Sequence, residues 1–240
     1  MGVLDSLFSA IAQLTDPRLR RVVWIGVLGS LAIFVVLWSA LGFLTGALDW
    51  TQIPYIGWLF DWLGDAASWL GGLVFLASIL IVSFILFPAV VTIIVGFFLE
   101  EVVGAVEAKH YPGLPPARAQ PTAEVLGVTV RFALLVIGVN ILALPFYLLL
   151  IFLPPMNIVL YYLLNGYLVG REYYELVALR RLEPEPARRL RRAHKGRMLF
   201  AGVLLVFFMT IPIINFVTPV VAAAFMVHVF QNLPRRSEFL

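Results

Sequence analysis

The 240-residue chain contains no cysteine, which excludes disulfides, iron–sulfur clusters and thiolate metal sites and leaves the redox compartment undefined. Histidine is almost as scarce. His110, His194 and His228 form no His-x-x-x-His spacing, so no metal or other cofactor is expected. Charged residues occupy only 13% of positions against 62% hydrophobic, with a mean hydropathy of +0.97. A water-soluble globule needs more polar surface than this, so the composition is that of an integral membrane protein. The sequence also lacks a Gly-x-x-x-x-Gly-Lys-Ser/Thr phosphate loop, a His-Glu-x-x-His helix and a Gly-x-Ser-x-Gly elbow. It has no means of driving transport with ATP, and no enzyme activity is expected.

The apolar content is organised into runs. Val22 to Leu48 and Trp69 to Leu99 carry no charge over 27 and 31 residues, against the roughly 20 needed to cross the hydrocarbon core. Both are expected to span, as helices over 17–48 and 69–107, with a kink at Pro88. Ahead of them, Val3, Leu4, Leu7, Phe8, Ile11 and Leu14 recur at helical spacing. That stripe predicts an amphipathic helix over 1–15 lying in the membrane surface.

Later in the chain the runs are shorter and interrupted twice by a Pro-x-x-Asn break, at Pro154 to Asn157 and at Pro212 to Asn215. The legs Ile158 to Gly170, Met198 to Ile211 and Phe216 to Phe230 hold 13, 14 and 15 residues, about 20 to 23 Å of helix against a core of about 30 Å. Two helical hairpins that penetrate part-way are therefore expected, over 124–175 and 198–231, with Asn157 and Asn215 capping at their tips. The leg from Phe132 to Leu153 is long enough to cross alone but contains Pro145. The resulting fold class is all-α, with two long transmembrane helices, two re-entrant hairpins and amphipathic surface helices.

All 17 basic residues lie in the N-terminal segment, between Lys109 and Arg131, between Arg171 and Arg197, or at Arg235 and Arg236, and none lies between Asp49 and Ser68. The arrangement puts every basic segment on the cytoplasmic side and only that linker outside, although four full crossings in place of the hairpins give the same parity. Trp50, Tyr55, Trp58, Trp62 and Trp69 around the linker read as an interfacial belt. The basic segment 176–197 reads as a loop with an amphipathic helix attracted to anionic lipid, and without interleaved aromatics it is not expected to bind nucleic acid.

Two constellations carry possible chemistry. Asp16-Pro17-Arg18-Leu19-Arg20-Arg21 places an N-cap and first-turn proline ahead of adjacent arginines at the start of the first span. A helix N-terminus beside guanidinium forks suits a tetrahedral oxyanion, while the same arginines also serve as ordinary topology anchors. In Asn165 to Glu175, Arg171 and Glu175 are positioned to pair one turn apart, and Glu172 projects about 100° away. Asn165, Arg171, Glu172 and Glu175 either line the exit of a pathway or form a structural ion pair at the interface.

The first of these constellations resembles the Gly-Leu-Arg or Gly-Ile-Arg-Arg element of the CysZ-type sulfate permease family, which is related to the etoposide-induced membrane proteins. Val106-Glu107-Ala108, Tyr167 to Tyr174 and the run Phe208 to Phe216 match in the same order, and the resemblance covers nearly the whole chain. It implies an inner-membrane sulfate permease supplying cysteine synthesis in bacteria, with sulfate held at Leu19, Arg20 and Arg21. Arg18 departs from the family, which more often has glycine there. A homo-oligomer is also implied, and acceptance of related oxyanions is left open. The rival reading is a non-transporting membrane scaffold, using Gly42-x-x-x-Gly46 and Gly166-x-x-x-Gly170 for helix contacts.

Overall fold

A computed structural model describes residues 2–47 and 65–234 of the chain. The linker 49–64, with Trp50, Tyr55, Trp58 and Trp62, and the terminal pair Arg235 and Arg236 lie outside the described residues. Every regular element among the described residues is a helix, with no strand. The helices are α1 (Val3–Ala12), α2 (Pro17–Ala47), α3 (Asp65–Gly96), α4 (Leu99–His110), α5 (Thr122–Leu149), α6 (Pro154–Ala178), α7 (Pro184–Ala193), α8 (Lys195–Met209), α9 (Pro212–Asn215) and α10 (Thr218–Gln231). Three are long and apolar enough to cross a membrane, over Pro17–Phe43, Trp69–Gly96 and Thr122–Phe152. The third contains the leg with Pro145, and it adds a candidate span to the two expected.

Two compact units are present, one formed by 24–96 and the other by 1–23 with 97–240. Within the smaller, α2 and α3 run antiparallel. A Cβ on Gly26 would lie 2.5 Å from the Val95 side chain, Phe34 and Phe87 have ring centroids 5.8 Å apart, and Trp38 Nε1 donates to Ser83 Oγ at 2.8 Å. Gly26 therefore allows close approach at one end, and a part-buried hydrogen bond joins the pair farther along. Most other described side chains of α3 are outward-facing Leu, Ile, Val and Phe, as lipid contact requires. α3 runs unbroken through Pro88, and Thr92 Oγ1 donates to the Pro88 carbonyl at 2.8 Å.

The larger unit is built around α10. Every residue from Thr218 to Phe230 is buried, and α1, α4, α6 and α8 all touch this helix. A helix apolar on all sides belongs in such a position. The most extensive pairing in the unit is α6 on α8, where glycines replace side chains at the crossing. A Cβ added to Gly202 would stand 1.8 Å from the Gly166 carbonyl oxygen, and one added to Gly170 would stand 2.5 Å from the Met198 carbonyl oxygen. Backbone meets backbone there.

Several boundaries differ from the sequence expectation. The segment expected as one helix over 69–107 is two, parted by a turn after Gly96, and Glu100 and Glu101 then occupy the favourable first turn of α4. Pro145 does not interrupt α5, because losing one hydrogen bond does not end a helix where no water competes for the backbone. The break falls at Leu150–Phe152, a 3-10 turn, followed by Leu153. α6 does not stop at Gly170 but continues to Ala178, for 25 residues, since the charged turn at its end is paired and packed against protein. Finally, α1 is divided between two environments: Ser6, Leu7 and Ala10 are buried and the helix packs on α10, while Leu4, Phe8 and Ile11 remain exposed.

Candidate functional site

The arginine turn opens α2. Pro17 is its first residue and has no amide hydrogen to satisfy. The carboxylate of Asp16 covers the next, accepting from the Arg18 N–H at 2.9 Å, and the Arg20 N–H reaches the Asp16 carbonyl at 3.0 Å. Asp16 Oδ2 also accepts from Lys109 Nζ of α4 at 2.8 Å. The hydrogen bond from Lys109 and the amide of Arg18 together hold the Asp16 carboxyl below its ordinary range. The first turn is thus partly capped from within, and only the Leu19 amide is left without a partner of this kind. An anion here is met chiefly by guanidinium groups.

Leu19 is buried at 2% exposure and fixes the rotation of the turn. With 100° between successive residues, Arg18 and Arg20 flank it on either side and Arg21 points directly away. All three arginines are exposed, and none has a carboxylate within salt-bridge distance among the described residues. Arg18 and Arg21 are three apart and fall within about 60° of one another, so the side chain that departs from the family pattern adds a neighbouring cation. The turn presents an outward fan of positive charge, with Lys109 bound close by.

The second constellation is only partly assembled. Arg171 Nε donates to Glu175 Oε1 at 2.7 Å, and the guanidinium stands 5.4 Å from the centroid of the Phe132 ring on α5. Asn165 is occupied by its own helix, its amide donating to the Tyr161 carbonyl at 2.9 Å. Glu172 is exposed and shares an open cleft of about 300 Å³ with Glu100 and Glu175. Arg171 and Glu175 form a largely buried ion pair.

The hairpin tips also differ from expectation. Pro154 and Pro212 do start α6 and α9, as an N-terminal proline should. Asn157 does not cap the leg that follows it. It lies inside α6 and its amide reaches back 3.5 Å to the Tyr147 carbonyl of α5, while Leu153 takes the cap position without a side-chain bond. Asn215 ends a single helical turn. Tyr162, about two turns into α6, meets Thr210 at the end of α8 through their hydroxyls at 3.3 Å.

The profile of the sulfate transporter CysZ/etoposide-induced protein 2.4 family matches residues 6–219. The chain belongs to this family. No curated protein matches it significantly. In this CysZ-family chain one of the segments that carried the resemblance, Val106-Glu107-Ala108, is tied into a polar network. Glu107 is buried and takes both arms of Arg181, Nε to Oε1 at 3.0 Å and the terminal nitrogen to Oε2 at 2.7 Å, with Arg180 at 3.5 Å. Arg181 also donates to the Pro115 carbonyl, while Arg118 pairs with Glu124 and donates its amide to the Arg180 carbonyl at 2.8 Å. This network binds α4, the proline-rich connection after it and the end of α6. Arg180 and Arg181 belong to the basic segment 176–197, whose expected partner is anionic lipid and not a buried carboxylate. The available signal was Glu107, a lone carboxylate amid Val102, Val103 and Val106 that had to find a cation.

A second polar cluster was equally hidden. His228 of α10 meets the Tyr111 hydroxyl at Nδ1 (2.7 Å) and the Gln13 amide at Nε2 (2.5 Å), with the His110 ring edge-on 5.3 Å away. Both ring nitrogens are engaged by protein. Among the described residues no group of three or more His, Asp or Glu is placed to hold a metal.

Proposed function

We propose that this chain is a multi-pass sulfate permease of the bacterial inner membrane, channel-like in having no ATP machinery, that admits sulfate for assimilation into cysteine. The observation that carries the reading is the family match across 6–219, which includes a turn whose three arginines are exposed, with no carboxylate within salt-bridge distance of their guanidinium groups among the described residues. Arg20 and Arg21 hold the dianion, Arg18 adds a third guanidinium, and the Leu19 amide supplies the remaining helix donor. A divalent anion leaving water gives up strong hydration, and clustered forks of this kind replace it. Related oxyanions share the geometry and compete for the same turn.

The lengths of α8 and α10, 15 and 14 residues, support the second hairpin as one that enters the membrane without crossing it, since each leg reaches only about 21 to 22 Å, whereas α5 and α6 of the first are long enough to cross. A homo-oligomer in lipid then completes the pathway. The scaffold alternative loses one of its two contact surfaces, because Gly166 and Gly170 are consumed inside the chain by Gly202.

Labelled sulfate flux into proteoliposomes tests the proposal. Flux is expected in the wild type and should fall by about tenfold or more in Arg20→Ala with Arg21→Ala, the loss of two charge-assisted contacts. Unchanged flux in the double variant refutes the site, and a wild type that passes no sulfate refutes the permease.

A further inference from the structure

Away from the opening turn of α2, four more guanidinium groups converge on a small cavity between α5, α6 and α7. It has a volume of about 20 Å³ and is lined by Arg131, Arg171, Arg188 and Arg191 together with Glu175 and Tyr174. Its one carboxylate is already engaged with Arg171, and Arg188 leans 3.3 Å toward Glu185, a half-exposed side chain. Arg131 and Arg191 have no carboxylate within 4.0 Å among the described residues, and Arg191 Nε is a buried donor without a hydrogen-bond partner.

This convergence is built into the fold. Tyr174 is fully buried and donates to the Ala187 carbonyl at 2.9 Å, which pins α7 on α6. Ala187 and Leu190 are the buried residues of α7, so Arg188 and Arg191, one turn apart, are turned toward the same cavity while Arg189 and Arg192 stay in solvent. Arg131 lies in the third turn of α5, inside a helix apolar enough to cross a membrane. A lone guanidinium at such a position is costly unless an anion meets it.

We propose that the cavity is a headgroup site for an anionic membrane phospholipid, whose phosphate oxygens enter between Arg131 and Arg191. Its volume holds about one water-sized body, too little for a whole tetrahedral ion but enough for the outer oxygens of a phosphate whose ester side remains outside. Leu126, Val130 and Leu134 form an exposed apolar row along α5, against which the acyl chains lie. Free phosphate and sulfate share the oxyanion chemistry but have nothing to place on that row. The site is separate from Arg18 to Arg21 and does not depend on the sulfate reading.

Native mass spectrometry of the delipidated full-length protein tests this, with phosphatidylglycerol, phosphatidylcholine, inorganic phosphate and sulfate titrated separately. Phosphatidylglycerol should bind about tenfold more tightly than phosphatidylcholine, and Arg131→Gln with Arg191→Gln should abolish that preference. Arg189→Gln with Arg192→Gln removes the same charge from the exposed side and should change it by less than about threefold. Glu175→Gln, which releases Arg171 from its pair, should strengthen lipid binding, and it decides the matter alone if the first variant does not fold. Equal losses in both double variants, no strengthening in Glu175→Gln, or binding of phosphate or sulfate without any lipid preference would each overturn the proposal.

Discussion

α3 and α10 are both long on apolar residues and short of charge, yet α3 buries little beyond Val91 and Val95 of its described side chains, whereas α10 buries everything from Thr218 to Phe230. Hydropathy registers that each helix avoids water and says nothing of what replaces it. Side-chain size does distinguish them. α10 carries Ala222-Ala223-Ala224, which lets four other helices come close, and α3 carries Leu, Ile and Phe, whose bulk is free to face acyl chains. The lesson is that protein-packed and lipid-packed helices separate on volume where they coincide on polarity.

The sharpest way to break this contrast is to disturb the packed side. Glu107→Gln strips the buried carboxylate from Arg180 and Arg181 and should cost about 3–5 kcal/mol, because cations remain that have lost their partner. Thermal unfolding in detergent measures it, and a loss near zero would mean that the network is solvated. Gly202→Ala comes next, since its Cβ meets the Gly166 carbonyl oxygen at 1.8 Å, and about 1–3 kcal/mol should be lost. The same substitution at Gly72 of α3, where a Cβ meets nothing within 4 Å, should instead gain about 0.5–1 kcal/mol from helix propensity. Opposite signs for one chemical change would establish the difference between the regions, and equal signs would erase it.

Smaller effects refine the picture. Ser83→Ala removes the acceptor of Trp38 between α2 and α3, and hydrogen bonds between helices in lipid are worth about 0.6 kcal/mol on average. Unfolding of the variant should show a shift of that order. The smallest effect concerns Asp16. Lys109 and the Arg18 amide hold its carboxyl below the ordinary value of 3.8, so the ionised cap contributes in full above that pH and fades as the pH falls through the lowered value. Asp16→Asn should therefore flatten the acid limb of a stability titration and leave the neutral region with only the loss of the Lys109 tie.

How legible all this was depended on whether the information was local. The apolar runs located α2, α3 and α5, and the prolines at 154 and 212 marked breaks between apolar legs, although α6 begins at Pro154 itself and not at Ile158. The Arg171–Glu175 pair followed from one-turn spacing. The extension of α6 to Ala178 did not, since its charged end is stabilised by packing that no window of sequence contains. The same holds for Glu107 with Arg181, 74 positions apart, and for Gln13 with His228, 215 apart. At the opening turn of α2 the arginines and the proline are local features, whereas Lys109 lies 93 positions from Asp16, so the role of Asp16 as a shared acceptor is invisible without the fold.

The glycine crossing of α6 and α8 has a mechanical consequence. A sliding displacement by one helical turn would bring Val206 or Met198 to the place now held by Gly202, and neither fits against a bare carbonyl. These two helices consequently have one permitted register and no neighbouring one, so they move as a single strut, and any gate in this protein has to be made from other parts.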